Sequence, residues 1–336
     1  ALGTAGAIGE VDPLSPINPA ALSSVFNSVL SAQAEPEFRS VSTPSSTDKT
    51  TTARFTLFGA AIPIGTRWVL GAGASTLLDR TWTTTSSSVL QVGADTVTSN
   101  FTTGSDGAIN DLRVAASWTP AVWLRLGLGG HAYSGSNLIF QGRTFANPSF
   151  ANFSDTTQFG IAGEALSAGM ELVAPKIGIA TISFRKGGSI KTEHIDTTIA
   201  SARIPDRLGF SLVYTGITGA QIAARTAYNK WSSMQGLVID GSTANSSWDT
   251  SIGAEITGPR FGSNPFMLRA GTRFRDLPFS AAGNVVHEQS YNFGTGTIFA
   301  GGRMGADLAL LYSRRSADLT VSERAWTLSL GFSVRP

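Results

Sequence analysis

From Ser322 to Arg335 the chain alternates almost without a break. Trp326, Leu328, Leu330, Phe332 and Val334 fall on one side; Thr327, Ser329, Gly331, Ser333 and Arg335 fall on the other. Successive side chains of an extended strand point to opposite faces, so this pattern dictates a strand with one oily and one polar face. A soluble sheet can carry one such strand. Recurrence narrows the choice: the alternation returns along most of the chain, in stretches of about ten residues or more, the length that crosses a bilayer at a tilt. The expected fold is therefore all-β, a transmembrane antiparallel β-barrel with lipid outside and a polar lumen inside.

Composition supports this. Only 14% of residues are charged, against roughly 25% in ordinary soluble domains. Glycine (37), Phe (19) and Trp (7) are plentiful. No apolar run reaches the roughly eighteen residues a membrane helix needs. The absence of cysteine fits an outer membrane protein. The net charge of +2 gives no reason to expect nucleic acid as a partner. The Ala1-Leu2-Gly3 start is what cleavage at a small-residue site leaves, so an exported chain with its signal peptide already removed is expected, in the bacterial outer membrane.

Residues 1–34 do not alternate; they hold Pro13, Pro16 and Pro19, then a short run from Ala20 to Val29 suited to a helical turn or two. They read as a separate N-terminal element, and residues 35–336 as the barrel. About fourteen strands follow, an even number, as such barrels have. Their connections alternate between short ones (63–65, 119–120, 174–175, 216–219, 301–304) and long ones (83–106, 135–156, 187–202, 232–246, 277–286). The first and last external loops, 45–50 and 317–322, are short. Short periplasmic turns and longer external loops are the expected arrangement, with both termini in the periplasm. Gly160, Gly163, Gly169 and Gly178 blur the phase of two middle strands and point to bulges there.

The alternation also assigns faces. An arginine towards lipid at mid-membrane costs about 2–4 kcal/mol, so charged residues on strands must face inward. Arg113, Arg125, Arg207, Arg225, Arg269, Arg273, Asp111, Asp249, Glu255, Glu288 and Asp307 are expected to line the lumen, paired between neighbouring strands. Trp68, Trp118, Trp248, Trp326, Tyr214 and Tyr291 fall near strand ends, where aromatic girdles form.

About fourteen strands preceded by a segment carrying Asn18-Pro19-Ala20-Ala21-Leu22 resembles the long-chain fatty acid transporter (FadL) family of outer membrane proteins. The resemblance implies a plug, or hatch, formed by the N-terminal element, with Asn18, Pro19, Ala20 and Leu22 at its motif. Physically, Pro19 fixes its own backbone and holds Asn18 extended, which lets the Asn18 side chain cap a short helix. The resemblance further implies external loops that collect a hydrophobic molecule and a wall opening at the third strand, where Gly71 and Gly73 are candidate weak points. The loop over 136–154 is rich in large apolar groups (Leu138, Ile139, Phe140, Phe145, Phe150 and Phe153), which form the candidate ligand-binding surface. The same fold and motif occur in PorV-type barrels that serve protein secretion.

No catalytic or metal-binding constellation is visible in the linear chain. His131, His194 and His287 are far apart, and none makes a ligand pair. A Ser-His-Asp set is defined in space, so the linear chain does not decide it. The glycines at 127, 129 and 130 lie inside a strand pattern rather than before a helix, so a phosphate loop fails its context. The expectation is a non-enzymatic channel without cofactor, taking up hydrophobic molecules such as fatty acids. Membrane lipid and a hydrophobic ligand are the expected partners. The alternative is a barrel that binds another outer membrane protein.

Overall fold

The computed structural model spans the whole chain and describes every residue except 1, 43–46, 94, 239–241, 262–263, 281–282 and 318–321. Sixteen strands are described: β1 (Val29–Ser42), β2 (Thr47–Ile64), β3 (Trp68–Asp79), β4 (Trp82–Val92), β5 (Asp95–Ala121), β6 (Leu124–Phe145), β7 (Phe153–Ala174), β8 (Gly178–His194), β9 (Thr197–Arg203), β10 (Arg207–Ile217), β11 (Ala220–Asn229), β12 (Ser247–Phe261), β13 (Asn264–Asp276), β14 (His287–Phe299), β15 (Met304–Ser316) and β16 (Ser322–Val334). All but β4 and β9 form a closed, 14-stranded antiparallel barrel. The ring closes where β16 pairs β1 from Leu30↔Val334 to Ser42↔Ser322 and where β8 meets β10 from Arg207↔Arg185 to Tyr214↔Gly178. Closure gives each barrel strand a neighbour on both sides over at least part of its length, which is how a sheet meets the backbone's needs in hydrocarbon.

Inside and outside follow the sequence alternation. On β10, Leu208, Phe210, Leu212 and Tyr214 are exposed, whereas Arg207, Ser211 and Val213 are buried. The outward apolar side chains make a band around the barrel that water would penalise and hydrocarbon accepts. Two aromatic belts border it. At the end with the short turns, Trp68 stacks on Trp118 with centroids 5.8 Å apart, and Trp123 and Tyr214 are exposed at the same end of the barrel. At the opposite end Trp248 meets Tyr228 at 5.2 Å and Trp326 meets Tyr312 at 4.8 Å, with Tyr291 also exposed. The tight turns use glycine where the backbone must turn left-handed, as at Gly65 (φ 65°) and Gly219 (φ 75°).

Three expectations change. First, β1 begins at Val29, so residues 29–34 belong to the wall and the N-terminal element ends near residue 28, not 34. The alternation from Val29 is masked by the polar residues Ser31, Gln33 and Glu35 beside short alanines. Second, 83–106, 135–156 and 187–202 are not mainly loops. β4 continues the line of β3 along β5, from Trp82↔Ser105 to Val92↔Asp95, and β5, β6 and β7 run on together as a wing beyond the barrel. β9 pairs with the far half of β8 in the same way. Outside hydrocarbon neither face need be apolar, so Thr- and Ser-rich strands such as 83–88 lose the hydrophobic alternation while keeping strand propensity. Third, 232–246 contains a short 3-10 helix, η3 (Trp231–Leu237). The expected bulge in the middle strands is real: the β7–β8 register shifts between Gly163 and Ala165. The expected short loops 45–50 and 317–322 fall partly on 43–46 and 318–321, outside the described residues.

Candidate functional site: a lumen crossed by the N-terminal segment

Residues 2–25 lie against the inner wall of the barrel, with two short 3-10 turns, η1 (Leu2–Thr4) and η2 (Pro19–Ser24). Glycines on the inner wall make room for both. A Cβ at Gly127 would sit 2.3 Å from the Pro19 carbonyl carbon and the Ala20 nitrogen, and one at Gly169 would sit 1.8 Å from Asn18 Oδ1. Gly127 and Gly169 are direct cross-strand partners on β6 and β7, so together they form one bare patch under η2. Gly71 on β3 receives the Leu22 side chain, which a Cβ there would approach to 2.7 Å. A second bare patch serves η1: Cβ atoms at the paired Gly253 and Gly271 would each come within 2.5 Å of Thr4.

Polar contacts fix the segment. Asn18 is buried and extended at the N-cap of η2; its Oδ1 accepts from the Ala20 amide at 3.0 Å. Its Nδ2 donates to the Glu10 carbonyl at 2.8 Å and to Glu171 Oε1 at 3.4 Å. The cap expected from the sequence is thus present, but it also ties two stretches of the segment to each other and to the wall. Replacing Asn18 by Ala removes the cap and strands buried groups, at about 1–2 kcal/mol. Faster protease cleavage within residues 1–28 of N18A, at unchanged barrel mobility on a gel, is the expected result.

Glu10 is the deepest anchor. It is fully buried, accepts from Ser183 Oγ at 2.7 Å, pairs with Arg207 and lies 3.3 Å from Arg225. Burial alone would raise its carboxyl pKa, but the guanidinium groups of Arg207 and Arg225 overrule this and hold it below the ordinary range. From there an ionic ladder runs round the inner wall. Arg225 reaches Asp249 at 3.0 Å, and Arg273 reaches the same carboxylate at 2.6 Å. Glu288 holds Arg275 and Arg315, and Arg315 also meets Glu37 and Glu323. Arg269 pairs with Glu255 and Asp307, and Arg125 with Glu171 at 3.1 Å.

Of the charged residues expected in the lumen, Arg125, Arg207, Arg225, Arg269, Arg273, Asp249, Glu255, Glu288 and Asp307 take part in these ion pairs. Arg113 is the exception in pairing: it is buried, and its Nε and Nη1 have no hydrogen-bond partner among the described residues. Sequence reading missed Glu10 and Glu171, each now seen as an anchor, and the share of Arg275, Arg315 and Glu37 in the ladder. Arg275 and Arg315 were visible on the polar faces of their strands. Glu10 lies in a stretch without periodicity and gave no signal.

The lumen is two-sided. Between the N-terminal segment and the ladder lies a cavity of about 400 Å³ lined by charges of both signs, among them Asp12, Glu35, Arg273 and Arg315. On the other side, towards the wing, Ile109, Tyr133, Ile161, Ile190, Ile204 and Met234 form a buried apolar cluster against which Leu77 and Leu78 of β3 pack.

The wall parts beside that cluster. β2 pairs β3 only from Ile64↔Trp68 to Leu57↔Ser75, although β2 stays paired to β1 as far as Ser42↔Thr47. β3 shifts register between Thr76 and Leu78 and follows β5 instead. Over residues 47–55, β2 has no strand partner on its β3 side among the described residues. Gly71 and Gly73 are not at this parting. Gly71 seats Leu22, and a Cβ at Gly73 would press on the Phe58 carbonyl oxygen at 2.9 Å within the paired stretch.

The six apolar residues of 136–154 do not share one loop. Leu138 and Phe140 lie on one face of β6, with the Phe140 ring over Gly104; Ile139 and Phe145 lie on the other. Phe145 contacts Phe150 of the hairpin tip with centroids 5.7 Å apart, and Phe153 opens β7 opposite Arg143. Ile139 and Phe153 remain exposed.

No family model matches the chain, and no curated protein matches it in sequence. Solved structures do match. A FadL homologue from Pseudomonas aeruginosa superposes with a TM-score of 0.67 at 13% identity, covering 99% of this chain and 97% of its own. The toluene transporter TbuX of Ralstonia pickettii gives 0.63 at 13% identity, over 95% and 92% of the two chains. The monoaromatic hydrocarbon channel CymD gives 0.60 at 14% identity, over 100% and 93%. At such identities the likeness speaks for architecture alone, and over nearly the whole length the architecture of this chain is the FadL-type barrel.

Proposed function

We propose that this chain is an outer membrane channel for the passive uptake of hydrophobic small molecules, long-chain fatty acids among them. The observation that carries the reading is the parted wall between β2 and β3. It lies beside the apolar cluster of Ile109, Ile161 and Ile190, with Leu77 and Leu78 between them, while the ionic ladder and the N-terminal segment lie on the other side of the lumen. A hydrophobic molecule thus passes between lumen and bilayer at the parting. In this reading the short turns face the periplasm and the wing faces outward. Ile139, Phe145, Phe150 and Phe153 collect the ligand, and the N-terminal segment acts as the gate. The fold it shares with hydrocarbon channels supports the reading.

Uptake of a fluorescent long-chain fatty acid and of radiolabelled toluene, by cells with and without the protein, tests it. Faster entry of at least one compound is expected; equal rates for both would reject the channel. The wing favours a second reading, in which it docks another outer membrane protein, since its strands run well past the barrel. Copurification of one stoichiometric partner, with equal uptake rates, is the outcome that reading requires.

A further inference from the structure

A hydrogen-bonded chain of three side chains crosses β5, β6 and β7 on the inner wall. The Nδ1 of His131 lies 2.8 and 3.0 Å from the two carboxylate oxygens of Asp111, and its Nε2 lies 2.9 Å from Ser167 Oγ. All three residues are buried. An ionised Asp111 accepts only, so Nδ1 carries the hydrogen and Nε2 is left to accept from the serine hydroxyl. This is the order of roles that activates a serine: nucleophile, base, and an acid group that fixes the base.

The surroundings serve the same arrangement. The Tyr133 hydroxyl donates to Asp111 at 3.2 Å, and its ring stacks on His131 with planes 6° apart, which holds the imidazole in place. Gly129 faces Ser167 across the strands, and a Cβ there would stand 2.7 Å from Oγ, so glycine is what lets the hydroxyl turn to His131. Arg113, the direct cross-strand partner of His131, is the buried guanidinium whose Nε and Nη1 are unpartnered. It puts positive charge on β5 beside His131, two strands from Ser167. Apolar groups flank the set on both sides: Leu22, Val69 and Ala115 towards η2, Ile161, Ala165 and Ile190 towards the wing.

We propose that Ser167, His131 and Asp111 hydrolyse esters of apolar carboxylic acids inside the barrel. Ser167 Oγ attacks the ester carbonyl as its proton passes to His131 Nε2. The C–O bond to the alcohol breaks, and the leaving oxygen takes that proton from His131. Water, deprotonated by His131, then attacks the acyl-serine; the carboxylic acid leaves and Ser167 regains its proton. The activity goes beyond passive uptake and does not depend on it, because it is tested on purified protein.

The full chain in detergent micelles is treated with an alkyl fluorophosphonate, whose phosphorus a competent serine attacks with loss of fluoride, and the adduct is located by mass spectrometry. Hydrolysis of p-nitrophenyl octanoate is followed in parallel. A single adduct on Ser167 is expected, together with ester turnover that Ser167→Ala abolishes. His131→Gln slows labelling about a hundredfold or more, the usual share of a general base. Gel mobility before and after boiling shows that each variant is a folded barrel. If a variant does not fold, the labelling of the unaltered chain decides alone. No adduct on Ser167 in the folded, unaltered protein overturns the proposal, as does labelling of folded H131Q at the unaltered rate. Either result leaves the three residues as a purely structural hydrogen-bond chain.

Discussion

Gly127→Val is expected to expel η2 from the barrel and raise the current the barrel carries. The argument is steric. The Cβ alone would lie 2.3 Å from two backbone atoms of Pro19 and Ala20, and valine adds two methyl groups. β6 cannot retreat, because it is hydrogen-bonded along its length to β5 on one side and β7 on the other. Valine itself suits a strand, so the barrel should fold. What yields is the six-residue 3-10 turn, held by a few side-chain contacts. Overpacking typically costs about 1–3 kcal/mol where neighbours can shift, and backbone atoms of a capped turn have little room to do so. Two measurements check the outcome: planar-bilayer current, and the rate at which a protease cuts within residues 1–28. Both should rise steeply. Gly130→Ala is the control, since a Cβ there meets nothing within 4 Å. Unchanged cleavage and current in G127V would mean that the segment does not close the pore.

The same glycines show where sequence reading reaches its limit. The barrel wall was legible because hydrocarbon imposes a period of two on every spanning strand, as at Leu208, Phe210 and Leu212 against Arg207, Gly209 and Ser211. The inward set of charges was legible for the same reason, since lipid tolerates none of them. The wing was not: at Thr83–Thr85 and Ser86–Ser88 both faces are polar, and nothing in the pattern separates a water-bathed strand from a loop. The seat of the N-terminal segment was not legible either. Gly127, Gly169 and Gly71 read as ordinary barrel glycines until Pro19, Asn18 and Leu22 are placed against them, from more than forty residues away along the chain. The third strand carried a hint of an opening, but the parting follows the register shift at Thr76, and register between strands is set by pairing that one strand's own residues do not reveal.

Glu10→Gln should release the segment by a different route, electrostatic rather than steric. Arg207 is buried, and Glu10 is the carboxylate it pairs with; Ser183 Oγ, at 2.7 Å, is a neutral companion. Neutralising Glu10 leaves the guanidinium charged in a site closed to water, and breaking a buried pair from one side costs about 3–5 kcal/mol. At about 1.4 kcal/mol per factor of ten, the undocked population should rise at least a hundredfold, read as the rate of cleavage within residues 1–28. Arg225 is less affected, because Asp249 still faces it at 3.0 Å. The decisive comparison is the double variant. Adding Arg207→Met to E10Q removes the stranded charge, so the double variant should hold its segment better than E10Q alone, a coupling that a merely steric role of Glu10 would not produce. Acid should imitate E10Q. Because the folded carboxyl is held below its ordinary range, its contribution is complete above that range and is lost as the pH falls through the lowered value. Cleavage of the unaltered chain should therefore accelerate on strong acidification, while that of E10Q, already neutral at this position, should rise less. If E10Q and the double variant release the segment equally, the pair with Arg207 is not what holds it.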